Sequence, residues 1–167
     1  ASVAKWSATN CFPRAEGTLL FSLLGRSFTP TRARYLFSIS DATTNNRIEV
    51  YTDTNGYLNA LSRKTSGTSG DVQIATSVFD NYARYAMLSW KADKLELWLC
   101  SFLGVWTLAS ATCTPAAGTT FTSFCVGHDW NSANQAGPGL YPISGWQLLP
   151  EYYSNPLNCR RFKTSFV

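Results

Sequence analysis

The stretch from Arg84 to Cys100, RYAMLSWKADKLELWLC, decides the fold. An apolar run ending at Trp90 and the alternating Leu95, Leu97 and Leu99 flank the polar tetrad Lys91-Ala92-Asp93-Lys94. That is the pattern of two β-strands joined by a turn. A period of two sends the three leucines to one face and Glu96 and Trp98 to the other. The first arm is apolar on both faces, with Ala86, Leu88 and Trp90 on one side and Tyr85 and Met87 on the other. A strand apolar on both faces belongs in the middle of a two-layer core.

The rest of the chain supplies partners of the same kind. Thr18 to Ser22, Tyr35 to Ser40, Val72 to Phe79, Val105 to Cys113, Phe121 to Gly127 and Ile143 to Leu149 all read as strands. Ile48, Val50 and Thr52 alternate with Glu49, Tyr51 and Asp53 before Asn55-Gly56, and Tyr57 to Arg63 alternates again. Asn-Gly is the signature of a type I′ turn, so Arg47 to Arg63 is expected to fold back as a hairpin, with Glu49 and Asp53 solvated. Ser154-Asn155-Pro156 has the composition of a helix start, and a short C-terminal helix is the most that fits. No stretch of ten or more residues keeps a helical period, so the expected fold class is all-β, an antiparallel sandwich or barrel.

Composition narrows the function. A chain of 167 residues fits one domain, and about 70% of the unfolded surface can be buried at that size. Charged residues make up only 14%, which suits a Ser/Thr-rich β surface or one partly covered by other subunits. The net charge of +4 gathers nowhere except Arg160, Arg161 and Lys163, so nucleic acid is not an expected partner. Five scattered cysteines without a CxxC pair, and a single histidine, read as buried thiols of a protein made in a reducing cytoplasm. No signal peptide is visible, nor an apolar run of about 18 residues, so no membrane insertion is expected.

Several segments then resemble a known family, the concanavalin A-like or laminin G-like jelly-roll domains as carried by tailed-phage virion proteins. They are Gly17-Thr18, YLFSISDATTNNRIEVY at 35 to 51, RYAMLSWKAD at 84 to 93, FCVGHDWNSANQ at 124 to 135 and ISGWQLLPEYYSNPL at 143 to 157. The resemblance implies a jelly-roll sandwich over residues 17–157, preceded by an arm or edge strand at 1–16 and followed by a tail at 158–167. It further implies a non-enzymatic module of a virion, a homo-oligomer contacting other virion subunits and attaching to a host cell-surface glycan or other receptor. The alternative is a decoration or cement protein that stabilises a phage capsid or tail. The first 16 residues have no counterpart in the family, and the basic, aromatic ending RRFKTSFV suits an assembly tail.

The ten acids form no cluster of the E-x-D-x-x-E kind that a sandwich-fold glycosidase uses. Cys125 and His128 are three apart, which on one strand sends them to opposite faces and disfavours a nucleophile–base pair. The loop His128-Asp129-Trp130-Asn131 offers oxygens for sugar hydroxyls and a ring for a pyranose face. With Tyr141 it forms the expected ligand-binding set; a plainer reading makes it a loop of self-bonding Asx side chains. The same oxygens would suit Ca²⁺, but nothing else in the sequence supports a metal, so no cofactor is expected. Trp98 and Trp106, with Arg160, Arg161 and Phe166, are the expected subunit contacts.

Overall fold

A computed structural model of the chain describes residues 4–7, 16–24, 31–41, 43, 45–65, 69–78, 83–113, 121–127 and 143–159. The strands are β1 (Ala4–Ser7), β2 (Gly17–Leu24), β3 (Arg34–Ser40), β4 (Arg47–Thr52), β5 (Tyr57–Arg63) and β6 (Gly70–Ser77), then β7 (Ala83–Lys91), β8 (Lys94–Cys100), β9 (Trp106–Thr112), β10 (Ser123–Val126) and β11 (Ile143–Leu149). A 3₁₀ turn, Pro156–Asn158, follows, capped by the Asn155 side chain accepting from the Leu157 N–H. The strands form two antiparallel sheets, one of six in the order β1-β10-β3-β4-β5-β6 and one of five in the order β11-β2-β7-β8-β9. This is an all-β jelly-roll sandwich.

The inner faces are the ones that period-two alternation predicts. Leu95, Leu97 and Leu99 pair with Trp90, Leu88 and Ala86, and all six are buried. β2 lies on the other side of β7 and adds Leu19, Phe21 and Leu23 to the same layer. The opposite sheet contributes Phe37, Ile39, Ile48, Val50, Leu58, Ala60, Val72 and Ile74. Phe21 and Phe37 meet across the sandwich with ring centroids 5.0 Å apart.

The two open sides of the sandwich are closed differently. On one, Trp146 of β11 reaches Phe124 of β10, with centroids 4.9 Å apart. On the other, β6 and β9 come so close that a Cβ built on Gly70 would lie 2.6 Å from the Cβ of Cys113. A glycine is required there for space.

Two expectations are corrected. The hairpin between β4 and β5 is not a type I′ turn, because Gly56 takes a left-handed φ of 78° while Asn55 does not. The Gly56 N–H donates to the Asp53 carbonyl at 3.1 Å, and the Asp53 carboxylate accepts the N–H groups of Asn55 and Tyr57 at 2.8 and 3.0 Å. The Asp53 side chain thus favours a three-residue loop completed by one left-handed glycine, the longer alternative to I′. Glu49, expected in solvent, is 1% exposed and salt-bridged to Arg47 at 2.7 Å. It lies on the outer face of the six-stranded sheet, and that face is largely covered.

Candidate functional site

Register across the six-stranded sheet lines up its outward residues in transverse rows. Tyr35 pairs with Tyr51, Tyr51 with Asn59, and Asn59 with Gln73, one residue from each of β3, β4, β5 and β6. At ~4.8 Å between strands the row spans about 14 Å, the length of two to three sugar rings. The next row runs Cys125, Ser38, Glu49, Leu61 and Asp71, and a third runs Ser123, Ser40, Arg47 and Arg63.

The first row is tied together by its own polar atoms. The Gln73 carboxamide donates to Asn59 Oδ1 and to Asp53 Oδ2, each at 2.9 Å, and Asn59 donates to the Tyr57 carbonyl at 2.8 Å. The Tyr35 and Tyr51 rings sit 5.3 Å apart, tilted by 30°, and both are half-buried. Asn59 is only 6% exposed, and it is on β6, at Gln73 and the neighbouring Asp71, that this face opens to solvent. Burial, then the nearby carboxylates of Asp71, Glu49 and Asp53, push the Tyr51 phenol above its ordinary value. The row is therefore an apolar-ringed, amide-rich surface in a locally acidic field. Both Gln73 N–H groups are spent inside the row, so a ligand hydroxyl would meet Gln73 by donating to its carboxamide oxygen, and a sugar face would lie on a half-buried tyrosine ring.

The expected ligand residues His128, Asp129, Trp130, Asn131 and Tyr141 lie outside the described residues, as do Arg160, Arg161 and Phe166. The last described residue before that loop is Gly127, left-handed at φ 82°, whose N–H donates to the Leu36 carbonyl at 2.8 Å. The chain thus leaves the sheet at the Tyr35 end of the row. Sequence reading missed the row itself, because its four residues come from four strands.

Trp98 and Trp106 both point outward from the five-stranded sheet and are half-buried. Trp98 packs on a second apolar cluster of Leu20, Met87, Leu149 and Cys159, to which Tyr153 also adds. Its cover comes from the chain's own C-terminal segment. Thr18 anchors that segment: its hydroxyl donates to the Glu151 carbonyl at 2.8 Å and accepts the Tyr153 N–H at 3.1 Å. Since its one proton is used, the Ser89 hydroxyl 3.0 Å away must be the donor of that pair. Tyr152 donates to the Glu96 carboxylate, which Lys94 also holds at 2.6 Å, and Lys91 stands 4.7 Å over the Tyr152 ring. Burial and the Glu96 contact push the Tyr152 phenol far above its ordinary range. Among the described residues no group of three or more His, Cys, Asp or Glu is placed to hold a metal ion.

No protein-family model matches the chain, and no curated protein matches it by sequence. Solved structures do match in shape. The IT-sialidase CBM40 module of Ruminococcus gnavus, bound to α2,6 sialyllactose, aligns with a TM-score of 0.62 at 14% identity, over 86% of this chain and 80% of that one. The fold is that of the concanavalin A-like jelly rolls. Mouse laminin α1 domains LG4-5 align at a TM-score of 0.57 and 9% identity, over 89% of this chain and 38% of that one. The NanB sialidase of Streptococcus pneumoniae aligns at 0.65 and 8%, over 92% of this chain and 27% of that one. The matched partners thus include a carbohydrate-binding module, laminin domains and part of a larger enzyme.

Proposed function

We propose that the chain is a non-catalytic glycan-recognition module that binds sugar along the row Tyr35, Tyr51, Asn59 and Gln73. The observation that carries this reading is the row itself, in which two tyrosines and two carboxamides are held in register by the sheet and fixed by hydrogen bonds to Asp53 and Tyr57. A recognition surface on rigid strands loses little entropy on binding. The sialyllactose bound to the Ruminococcus gnavus module supports sugar as the ligand class. The chain's own charges favour uncharged glycans, because Arg47 is engaged by Glu49 while Asp53 and Asp71 border the row. The carboxylates of Glu49 and Asp53 are already bound in the fold, which supports a binding role over hydrolysis.

The setting we propose is the surface of a bacteriophage virion, where a homo-oligomer serves host attachment. Supporting it are the family resemblance of the strand segments and the four described cysteines, all buried and unbridged, as synthesis in a reducing cytoplasm would leave them. His128, Asp129, Trp130, Asn131 and Tyr141 are proposed as further ligand contacts on the strength of their side-chain chemistry. A decoration role is the second reading, favoured by the exposed apolar tip Phe102, Leu103 and Val105 between β8 and β9.

A glycan array followed by calorimetry tests the proposal. Tyr51→Ala and Gln73→Ala are expected to weaken binding of a neutral glycan by about tenfold each, equivalent to ~1.4 kcal/mol. An array without signal overturns the glycan reading. A signal lost in Trp130→Ala but unchanged in both row variants moves the site to the loop. For the second reading, particles assembled without the chain would lose heat resistance and keep host binding.

A further inference from the structure

Among the described residues the two sheets end in four edge strands, and three of them carry features that discourage pairing with another strand. β1 has four residues. β11 has a register irregularity at Ile143/Gly145, next to a glycine. β6 opens on Gly70 and the exposed Asp71, and its register with β5 shifts between Tyr57 and Leu58. β9 differs. It runs seven residues, WTLASAT, in unbroken register with β8, and contains no charge, proline or glycine. Thr107, Leu108, Ser110 and Thr112 of β9 are exposed, while β6 closes over its inner face at Ala111 and Cys113. Long, regular, uncharged edges are the ones that recruit another strand.

We infer that β9 is a self-pairing edge, joining a second copy of the chain in an antiparallel β9–β9 contact centred on Ala109. A two-fold axis through Ala109 pairs all seven residues and keeps outward side chains on one side. Leu108 then faces Ser110 of the partner subunit, and Trp106 faces Thr112 of the partner subunit. Uncharged β9 brings no like charges together under this symmetry, which β6, with its Asp71, would not allow if centred near that residue. The sequence is self-complementary in size as well, because inward Thr107, Ala109 and Ala111 are small and outward Trp106 and Leu108 meet Thr and Ser. The apolar tip at Phe102, Leu103 and Val105, 55%, 74% and 61% exposed, lies at the start of β9 and extends the contact at both ends of the pair. The two five-stranded sheets become one continuous sheet, and the glycan row on the other sheet stays clear. This inference does not depend on the sugar reading.

Sedimentation over a concentration series up to about 100 μM, well above the Kd of an ordinary specific interface, tests it. The wild-type chain is expected at twice its 18.4 kDa mass. L108K/S110K, placed on exposed positions, is expected at the single-chain mass with unchanged circular dichroism and melting temperature. Mixing it with L108E/S110E should restore the doubled mass, which neither variant shows alone. Hydrogen–deuterium exchange on wild type adds a readout without mutation: the amides of 106, 108, 110 and 112, which face away from β8, should gain protection with concentration. A single-chain mass at all concentrations, a dimer that survives L108K/S110K, or a charge-swapped mixture that stays monomeric overturns the inference. So does capture of an extended foreign peptide by a monomeric wild-type chain.

Discussion

Gly70 is the place where a single methyl group should be felt most. An alanine there would put its Cβ 2.6 Å from Cys113 Cβ and 2.9 Å from Cys113 Sγ, whereas carbon atoms in contact settle at about 3.5–4.0 Å. Roughly 1 Å must be found between the edges of two sheets that are each pinned by their own ladders. Overpacking of this kind costs about 1–3 kcal/mol. The stiffer unfolded chain returns about 0.4–1 kcal/mol of that, so Gly70→Ala should destabilise by about 1–2 kcal/mol. Cys113→Gly removes both clashing atoms and by itself forfeits a buried thiol. In the double variant the methyl occupies the vacated space, so the two losses should fall short of their sum by about 1 kcal/mol. Urea unfolding at constant m-value measures all three. A Gly70→Ala chain as stable as wild type, or losses that simply add, would refute the close approach of β6 and β9.

Three further perturbations address the two outer faces. Thr18→Val leaves the Glu151 carbonyl and the Tyr153 N–H without their shared partner; a cost of about 1–3 kcal/mol is expected, with faster amide exchange confined to residues 150–159. Arg47→Ala withdraws the guanidinium that holds the buried Glu49 carboxylate, and a loss of about 3 kcal/mol in chemical unfolding is expected. Tyr51 and Tyr152 both titrate above the ordinary 10.0, chiefly through burial and then through neighbouring carboxylates. Folding therefore favours the neutral phenols, so the stabilisation is whole below pH 10 and fades as pH rises through the raised folded-state values. In tyrosinate absorbance Tyr51 and Tyr152 should ionise late in the folded chain, and one late-ionising group is lost in Tyr152→Phe.

What could be read in advance followed from local periodicity. Leu95, Leu97 and Leu99 announce their face without knowledge of any other strand, and Ile143 to Leu149 was readable to the residue. Long-range cover was not readable. Glu49 looks like a solvated strand residue because nothing near it in sequence says that the outer face of β4 is buried. Trp98 points outward as its neighbours require, yet that it packs on a cluster holding Leu149 and Cys159 follows from the path of a segment more than fifty residues downstream.

The glycan row turns on a subtler point, the type of one turn. Had Asn55-Gly56 formed the two-residue I′ turn, Thr54 would pair with Tyr57, and Tyr51 would stand opposite Ala60, a core residue. The Asp53 side chain instead draws the chain into a turn with a single left-handed residue, and the register slips by one, so that Tyr51 meets Asn59. A slip of one residue exchanges every side chain between core and surface. Asp53 therefore acts twice, first by setting the register that brings Tyr51 beside Asn59, then by accepting from Gln73 to extend the row onto β6. The visible signal was present in the sequence as Asp53-Thr54-Asn55-Gly56, an Asx residue three positions before a glycine. Weighed against Asn-Gly alone, it selects the longer loop, and with it the face on which a sugar would lie.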